Sequence, residues 1–467
     1  MRIVLLTSLL MLCTAASSAQ LQRIASYDTG YPKGAEIISV QQHSGRAALT
    51  ISGKNQVDIL SLANTAQPQR QLRIAIQGDN IADISSVAFH PSEDYVAVAV
   101  IPADPLATGK VVIHSASSGK RLASFTAGYW PDSVLFSNDG RWLAVANEGE
   151  PFVATKGGTL VTPPGSITLV DLQHDLGNAA VHQIALPDLS AVEGVLQASD
   201  KRSFERDIDL NGDGRIDGDE EELEVPISAA TADYLEPEYL AFTPDGATLF
   251  VALQENNAVV VVDTSTAKVE RSFGLGVTRH LADTQDDGRV AFVNELTAFR
   301  EPDGIALGNN GKWLLTADEG DTEPKASKIN AGQKAGGGRT LSIFDAASGE
   351  LLGDTGNQLD AMAHAVGIYP DGRSDNKGSE PETVVYLELE GTHYGVVTLE
   401  RADALALVNI NNPQKPLVES VVSLRMSGDK AKAYGPEGLA LYRDSKGGYF
   451  LFCANEKRGT VSVVTIR

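Results

Sequence analysis

Short aliphatic runs, each closed by a turn rich in Asn, Asp, Pro or Gly, follow one another along nearly the whole chain. Ser133-Val134-Leu135-Phe136 leads through Asn138-Asp139-Gly140 to Trp142–Ala146 and then to Ser166–Asp171. The same grammar recurs in Tyr239–Phe242, Pro244-Asp245-Gly246, Leu249–Leu253 and Ala258–Asp263. It returns in Ile305–Leu307, Asn309-Asn310-Gly311, Trp313–Ala317 and Thr340–Asp345. Runs of this length with β-branched enrichment and hairpin turns predict strands, and no stretch carries a sustained helical period. A Pro/Ala-[Asp/Glu] signal opens each unit: clearly at Pro131-Asp132, Pro237-Glu238, Pro302-Asp303, Pro381-Glu382 and Pro436-Glu437, more weakly at Ala35-Glu36 and near Asp83. Seven all-strand units at roughly 40 to 50 residue spacing predict a seven-bladed β-propeller over residues 20–467. Leu21–Tyr27 reads as the strand that closes the ring against the last blade.

In a propeller the first strand of each blade lines the central channel. The acids that open those strands, Glu36, Asp132, Glu238, Asp303, Glu382 and Glu437, are therefore expected to ring one channel mouth as a ligand or cofactor site. A second acidic set, Glu148, Glu255, Glu319, Glu400 and Glu456, follows the second strands. So many carboxylates in one place repel one another, which calls for cations: Arg300, Arg401, Lys457 and Arg458, or bound metal. His364 and His393, in the sixth unit, could add a ligand or base. Read structurally, the same carboxylates would cap backbone amides and tie blades together.

Three segments interrupt the repeat: 150–165 and 320–338, which are Gly-rich loops, and 172–235, which reads as an insertion between the third and fourth units. Inside it, Asp209-Leu210-Asn211-Gly212-Asp213-Gly214-Arg215-Ile216-Asp217-Gly218-Asp219-Glu220 matches the twelve-residue EF-hand loop. Asp209, Asn211 and Asp213 supply side-chain oxygens, Arg215 a carbonyl, Asp217 a direct or water-mediated contact and Glu220 a bidentate carboxylate, with Gly214 at the sharp turn. This spacing predicts one bound calcium. A single loop without an evident partner reads as a staple for the insertion rather than a sensor.

Composition narrows the partners. With 61 acidic against 38 basic residues the net charge is −23, which opposes nucleic acid and anionic membrane and favours divalent cations. Residues 1–19 combine Arg2, an apolar run Ile3–Cys13 and the small exit Ser17-Ser18-Ala19, the layout of an export signal, so a periplasmic or secreted destination is expected. No later run is long enough to span a bilayer. Past that signal the remaining cysteine, Cys453, lies in an apolar strand and reads as a packed thiol.

Pro131–Ser137 through Ala146–Pro151, with Lys33–Ile37, Glu301–Ile305, Leu399-Glu400-Arg401 and Ala454-Asn455-Glu456, resembles the choice-of-anchor I family of exported propeller proteins. That family is similar to mesenchyme-specific surface glycoproteins of biomineralising animals. The resemblance implies an exported propeller; the C-terminal anchor of the family name is not expected here. Some relatives carry alkaline-phosphatase-like labels, but no Ser nucleophile stands among metal-ligand motifs in this sequence. Two functions follow. One is a calcium-binding propeller that takes a cation, or a small-molecule or phosphate-bearing ligand, at its acidic channel mouth. The alternative is a metal-dependent hydrolase, most plausibly a phosphoesterase, whose channel carboxylates hold calcium.

Overall fold

Local turn chemistry closes the inner hairpins. Gly140, Gly246 and Gly311 sit at φ of 76°, 67° and 80°, a left-handed conformation open to glycine and costly to a residue with a Cβ. The Ser137 N–H then donates to the Trp142 carbonyl at 2.9 Å, and the Thr243 N–H to the Thr248 carbonyl at 2.9 Å. In the computed structural model, which describes residues 19–78, 80–150, 152–153, 160–196, 234–321, 325–327, 334–426 and 433–467, these hairpins belong to seven four-stranded antiparallel sheets.

The innermost strands are Ala35–Gln41, Ile81–Phe89, Pro131–Phe136, Pro237–Phe242, Pro302–Gly308, Pro381–Leu389 and Pro436–Arg443, one for each of blades 1 to 7. Each packs on the next and the seventh packs on the first, so the sheets close into a seven-bladed β-propeller. The N-terminal strand Leu21–Asp28 forms the outer edge of blade 7, with Leu21 opposite Ile466 and Asp28 opposite Thr460. Gln20 and Arg467 extend that ladder by two backbone hydrogen bonds of 2.8 and 3.0 Å. The expected export signal, residues 1–18 of it, lies outside the described residues.

The core sits in the seams between blades. A blade is covered on both faces by its neighbours, so its middle strands are continuous apolar runs rather than alternating ones; Trp142–Asn147 is buried at every position. Trp142, Ala144 and Leu169 of blade 3 meet Leu249, Val251 and Val260 of blade 4 in one such seam. Cys453 is a free, fully buried thiol packed among Leu439, Leu451 and Val464, as its apolar setting led one to expect.

Several details depart from the sequence reading. The outer strand of blade 3, Ala180–Ala185, is drawn from the segment 172–235 that read as pure insertion, because Ser166–Asp171 needs a fourth partner on its free edge. The calcium loop 209–220 lies outside the described residues. The units are not made of strands alone: a helix, Gln358–Ala365, joins blades 5 and 6 and buries Leu359 and Ala363 against the blade 6 core. A hairpin, Val277–Ala282 with Asn294–Phe299, joins blades 4 and 5.

Candidate metal centre at the channel mouth

A β-bulge at the start of the inner strand aims each acid. Pro131 faces Asn147 and Ser133 faces Ala146, which leaves Asp132 as an extra residue with no cross-strand partner. The register slips in the same place between Pro237 and Leu240, Pro302 and Gly304, Pro381 and Val384, Pro436 and Leu439, and Ala35 and Ile38. Glu238, Asp303, Glu382, Glu437 and Glu36 all lie inside these slips. Proline suits the position because it offers no N–H to the interrupted ladder, and a bulge turns its extra side chain out of the sheet. The residue before it is left-handed in five blades: Gly34, Trp130, Glu301, Glu380 and Gly435, at φ of 87°, 46°, 40°, 61° and 60°. For the three non-glycines this costs about 1–3 kcal/mol each, strain that persists only where the surroundings fix it.

Blade 2 differs. Its second register slip falls between Ile84 and Val87, which puts Ser85 in the ring position. Asp83, read as the start of this unit, instead accepts the Gly53 N–H at 2.8 and 2.9 Å and joins blade 2 to blade 1. The ring therefore holds six acids and one serine, whose hydroxyl donates to the Pro131 carbonyl at 2.6 Å.

The six acids converge with part of the second set. Carboxylate oxygens of Asp303, Glu319 and Glu382 lie within 4.8 Å of one another, as do those of Glu380, Glu382 and Glu400. Lys377 binds Glu319 closely and reaches Glu380 at 3.5 Å. Arg373 and Arg401 hold Glu380 at 3.0 and 2.9 Å, Arg401 holds Glu400 at 2.8 Å, and Lys457 closes on Glu400. Among the described residues four cations, Arg373, Lys377, Arg401 and Lys457, pair with three of these carboxylates, Glu319, Glu380 and Glu400, while Glu148, Glu255 and Glu456 stand as further acidic neighbours of the ring. All four cations lie on the side of blades 5 to 7.

Protonation follows the ion pairs at Glu380 alone, since burial raises Glu400, Glu437 and, to about 8, Glu319 on the same cationic side. Glu380 is buried, but Lys377, Arg401 and Arg373 overcome burial and hold it down at about 2. On the opposite side burial pushes Asp132 up to about 7, helped by Asp303 and Glu36, and pushes Glu36 up to about 7 against its bond from Ser52. Glu238 rises well above the usual range through burial and then Glu255, Glu148, Asp303 and Asp132, and one of its oxygens is shielded from solvent without a hydrogen-bond partner. Asp303 rises to about 6 by burial, tempered by a hydrogen bond with Glu382, which is itself raised by burial and its acidic neighbours. Such a pair shares one proton.

The Tyr239 hydroxyl of blade 4 hydrogen-bonds with Thr383 of blade 6 and feels Asp303, Asp132 and Glu437. A cavity of about 500 Å³ between the inner strands is lined by Ile37, Leu135 and Leu307 and by the polar Ser133, Asn138 and Tyr239. An all-oxygen, acid-rich mouth suits a hard cation rather than a thiophilic metal.

Other candidates fall elsewhere. Arg300 is buried inside blade 5, bonded to Asp318 at 3.2 Å and Asp354 at 2.8 Å, and does not serve the ring. Arg458 lies over Tyr434 at the rim. His364 is an exposed helix residue against Phe292, and His393 bonds Tyr386 and packs edge-on to Trp313 at the far end of the inner hairpin. Sequence reasoning missed Lys377 and Arg373, which precede an inner strand without a repeating signal, and Glu380, which the repeated Glu-Pro of Glu236-Pro237, Glu301-Pro302 and Glu380-Pro381 could have suggested. It also missed Tyr239, which the bulge after Pro237 could have suggested.

The fold is that of a seven-bladed β-propeller. The chain belongs to the choice-of-anchor I family, whose model matches residues 36–336 and 331–413; domains of this kind are typical of exported proteins. No curated protein matches the sequence. Among solved structures it is similar to Kuenenia stuttgartiensis hydrazine synthase, with 13% identity, 92% of this chain and 95% of that one covered and a TM-score of 0.55. The β-propeller domain of Myceliophteria thermophila Cps50 (Swd1) follows at 10% identity, with 95% and 100% covered and a TM-score of 0.51. These likenesses carry the fold alone. No helix among the described residues is long and apolar enough to cross a membrane.

Proposed function

We propose that the protein is an exported cation-binding module whose channel mouth takes a divalent cation, calcium in an extracellular setting. The observation that carries this reading is the convergence of the six ring acids with Glu319, Glu380 and Glu400, of which the ion pairs among the described residues reach the last three alone. Glu319, Glu380 and Glu400 already hold Lys377, Arg401 and Lys457, so Asp303 and Glu382 are the ligands left to a metal, with Asp132, Glu238 and Glu437 around them. Calcium there replaces the proton Asp303 and Glu382 share, and binding releases protons. The EF-hand pattern Asp209, Asn211, Asp213, Arg215, Asp217 and Glu220 supports a second, structural calcium in the insertion.

Calorimetry separates the two sites. In the Asp209→Ala/Glu220→Ala double variant the loop calcium is lost and the channel calcium stays, with a heat that varies with the ionisation enthalpy of the buffer. Adding Glu382→Gln then removes the remaining calcium. Failure of the double variant to bind any calcium, with the wild type binding one, overturns the channel site.

A hydrolase reading draws support from Lys377, Arg401 and Lys457 entering the carboxylate cluster, since a metal beside fixed cations is a setting in which a phosphate can be held. Turnover of a phosphomonoester in calcium, abolished by Glu382→Gln, supports it; no turnover leaves the binding module.

A further inference from the structure

A second site stands apart from the channel. An open groove of about 520 Å³ lies at the rim of blade 7, lined by Arg23, Ser26 and Asp28 of the closing strand, Tyr31 of the turn that follows, Arg458 and Thr460 of the last hairpin, and Met426 and Tyr434 of the crossing from blade 6. The register of the closing strand slips at Ile24, so Arg23 faces Val464, Ser26 faces Ser462 and Asp28 faces Thr460, which puts all three on one side of the sheet.

The groove brings two arginines, Arg23 and Arg458, together on a strongly acidic protein. The Arg23 Nε is shielded from solvent and has no hydrogen-bond acceptor among the described residues, and Arg23 makes no ion pair among them. A buried donor left unmatched is destabilising, and an acceptor from a ligand would relieve it. The Arg458 guanidinium stands 5.7 Å from the centre of the Tyr434 ring, a stacking that sets the direction of its fork. Arg73, paired with Asp58 at 2.6 Å, and Lys54 stand over the Tyr31 ring at 4.9 and 5.7 Å. Asp28, the acid of the lining, turns one carboxylate oxygen to the Gly30 N–H at 2.8 Å. Two tyrosines and Met426, which is 53% exposed, supply apolar surface beside the arginines.

We infer that this groove binds a small organic oxyanion, a carboxylate or phosphate carried on an aromatic or apolar body. Arg23 and Arg458 grip the oxyanion, since guanidinium forks match the paired oxygens of either head. Tyr31, Tyr434 and Met426 take the body. Inorganic anions lack that body and bind more weakly.

The test is titration calorimetry of the full mature chain in EDTA, with benzoate, phenyl phosphate, inorganic phosphate and phenol as probes. Benzoate or phenyl phosphate binds saturably, inorganic phosphate binds more weakly and phenol does not bind; the tighter of the first two names the head group. Affinity falls about tenfold or more in Arg23→Gln and in Arg458→Gln, in line with the loss of one charge-assisted contact, and is unchanged in the channel variant Glu382→Gln. Arg458 is on a surface turn, so its variant keeps the test alive if Arg23→Gln does not fold. Absence of saturable binding by both aromatic acids overturns the inference, as does binding that survives both arginine changes or that is lost in Glu382→Gln alone.

Discussion

Replacing Asp132 with Asn should stabilise the calcium-free protein, the reverse of what removing a polar contact usually does. Asp132 has no hydrogen-bond partner among the described residues, and burial with Asp303 and Glu36 lifts it from 3.8 to about 7. At about 1.4 kcal/mol for each pH unit this sets a ceiling of about 4 kcal/mol on the cost of holding Asp132 ionised at pH 8. Asp132 retains some exposure in the channel, and screening by water and salt reduces the gain to about 1–2 kcal/mol. The sign follows from the raised value. Below about pH 4 the group is protonated in both folded and unfolded chains and the substitution changes little; the penalty grows through pH 4 to 7 and is constant above. Urea unfolding in EDTA at pH 8 and pH 4 measures both ends. In excess calcium the order reverses, because the wild type gains metal-binding free energy that the variant has lost. A variant less stable than wild type in EDTA at pH 8 would refute the reasoning, since it would mean that the Asp132 carboxylate caps or bridges and is not an uncompensated charge.

Arg300→Met should cost about 3–5 kcal/mol in denaturant unfolding, because it leaves the buried Asp318 carboxylate without its cation; the paired change Arg300→Met/Asp318→Leu should recover much of that loss. His280 is held down at about 4 from 6.5 by burial and Arg339, with Asp354 opposing and Arg300 adding to the fall. The unfolded chain therefore takes up a proton before the folded one does, and this contribution to stability is present above pH 6.5 and lost as pH falls towards 4. Melting temperatures from pH 7.5 to 4.5 should fall less in His280→Gln than in wild type; identical slopes would contradict the assignment. The comparison is made between variants because the raised ring carboxylates act in the opposite direction over the same range.

Legibility in the sequence tracks how local each determinant is. The turn Asn138-Asp139-Gly140, the run Trp142–Ala146 and the proline before each ring acid are decided within a few residues, so the strands, the blade count and the identity of the six ring acids could be read directly. The closing strand was legible too, because Leu21–Tyr27 is one apolar strand short of a unit. Blade 2 was misplaced by two residues, since Ile84-Ser85 lacks the Pro-acid signal and only cross-strand register puts Ser85 in the ring.

What the chain order alone determined was therefore the repeat and the choice of acids; which cation answers which acid was settled by tertiary structure. Lys377 meets Glu319 from 58 positions away, and Lys457 meets Glu400 from 57. Arg300, one residue from a ring proline's neighbour in sequence, turns inward to Asp318 and Asp354 instead. Charge pairing depends on distance in space and on burial, and neither is encoded in a local pattern: a propeller brings blade starts together at its axis, and the excess of carboxylate over cation exists only once the ring has closed.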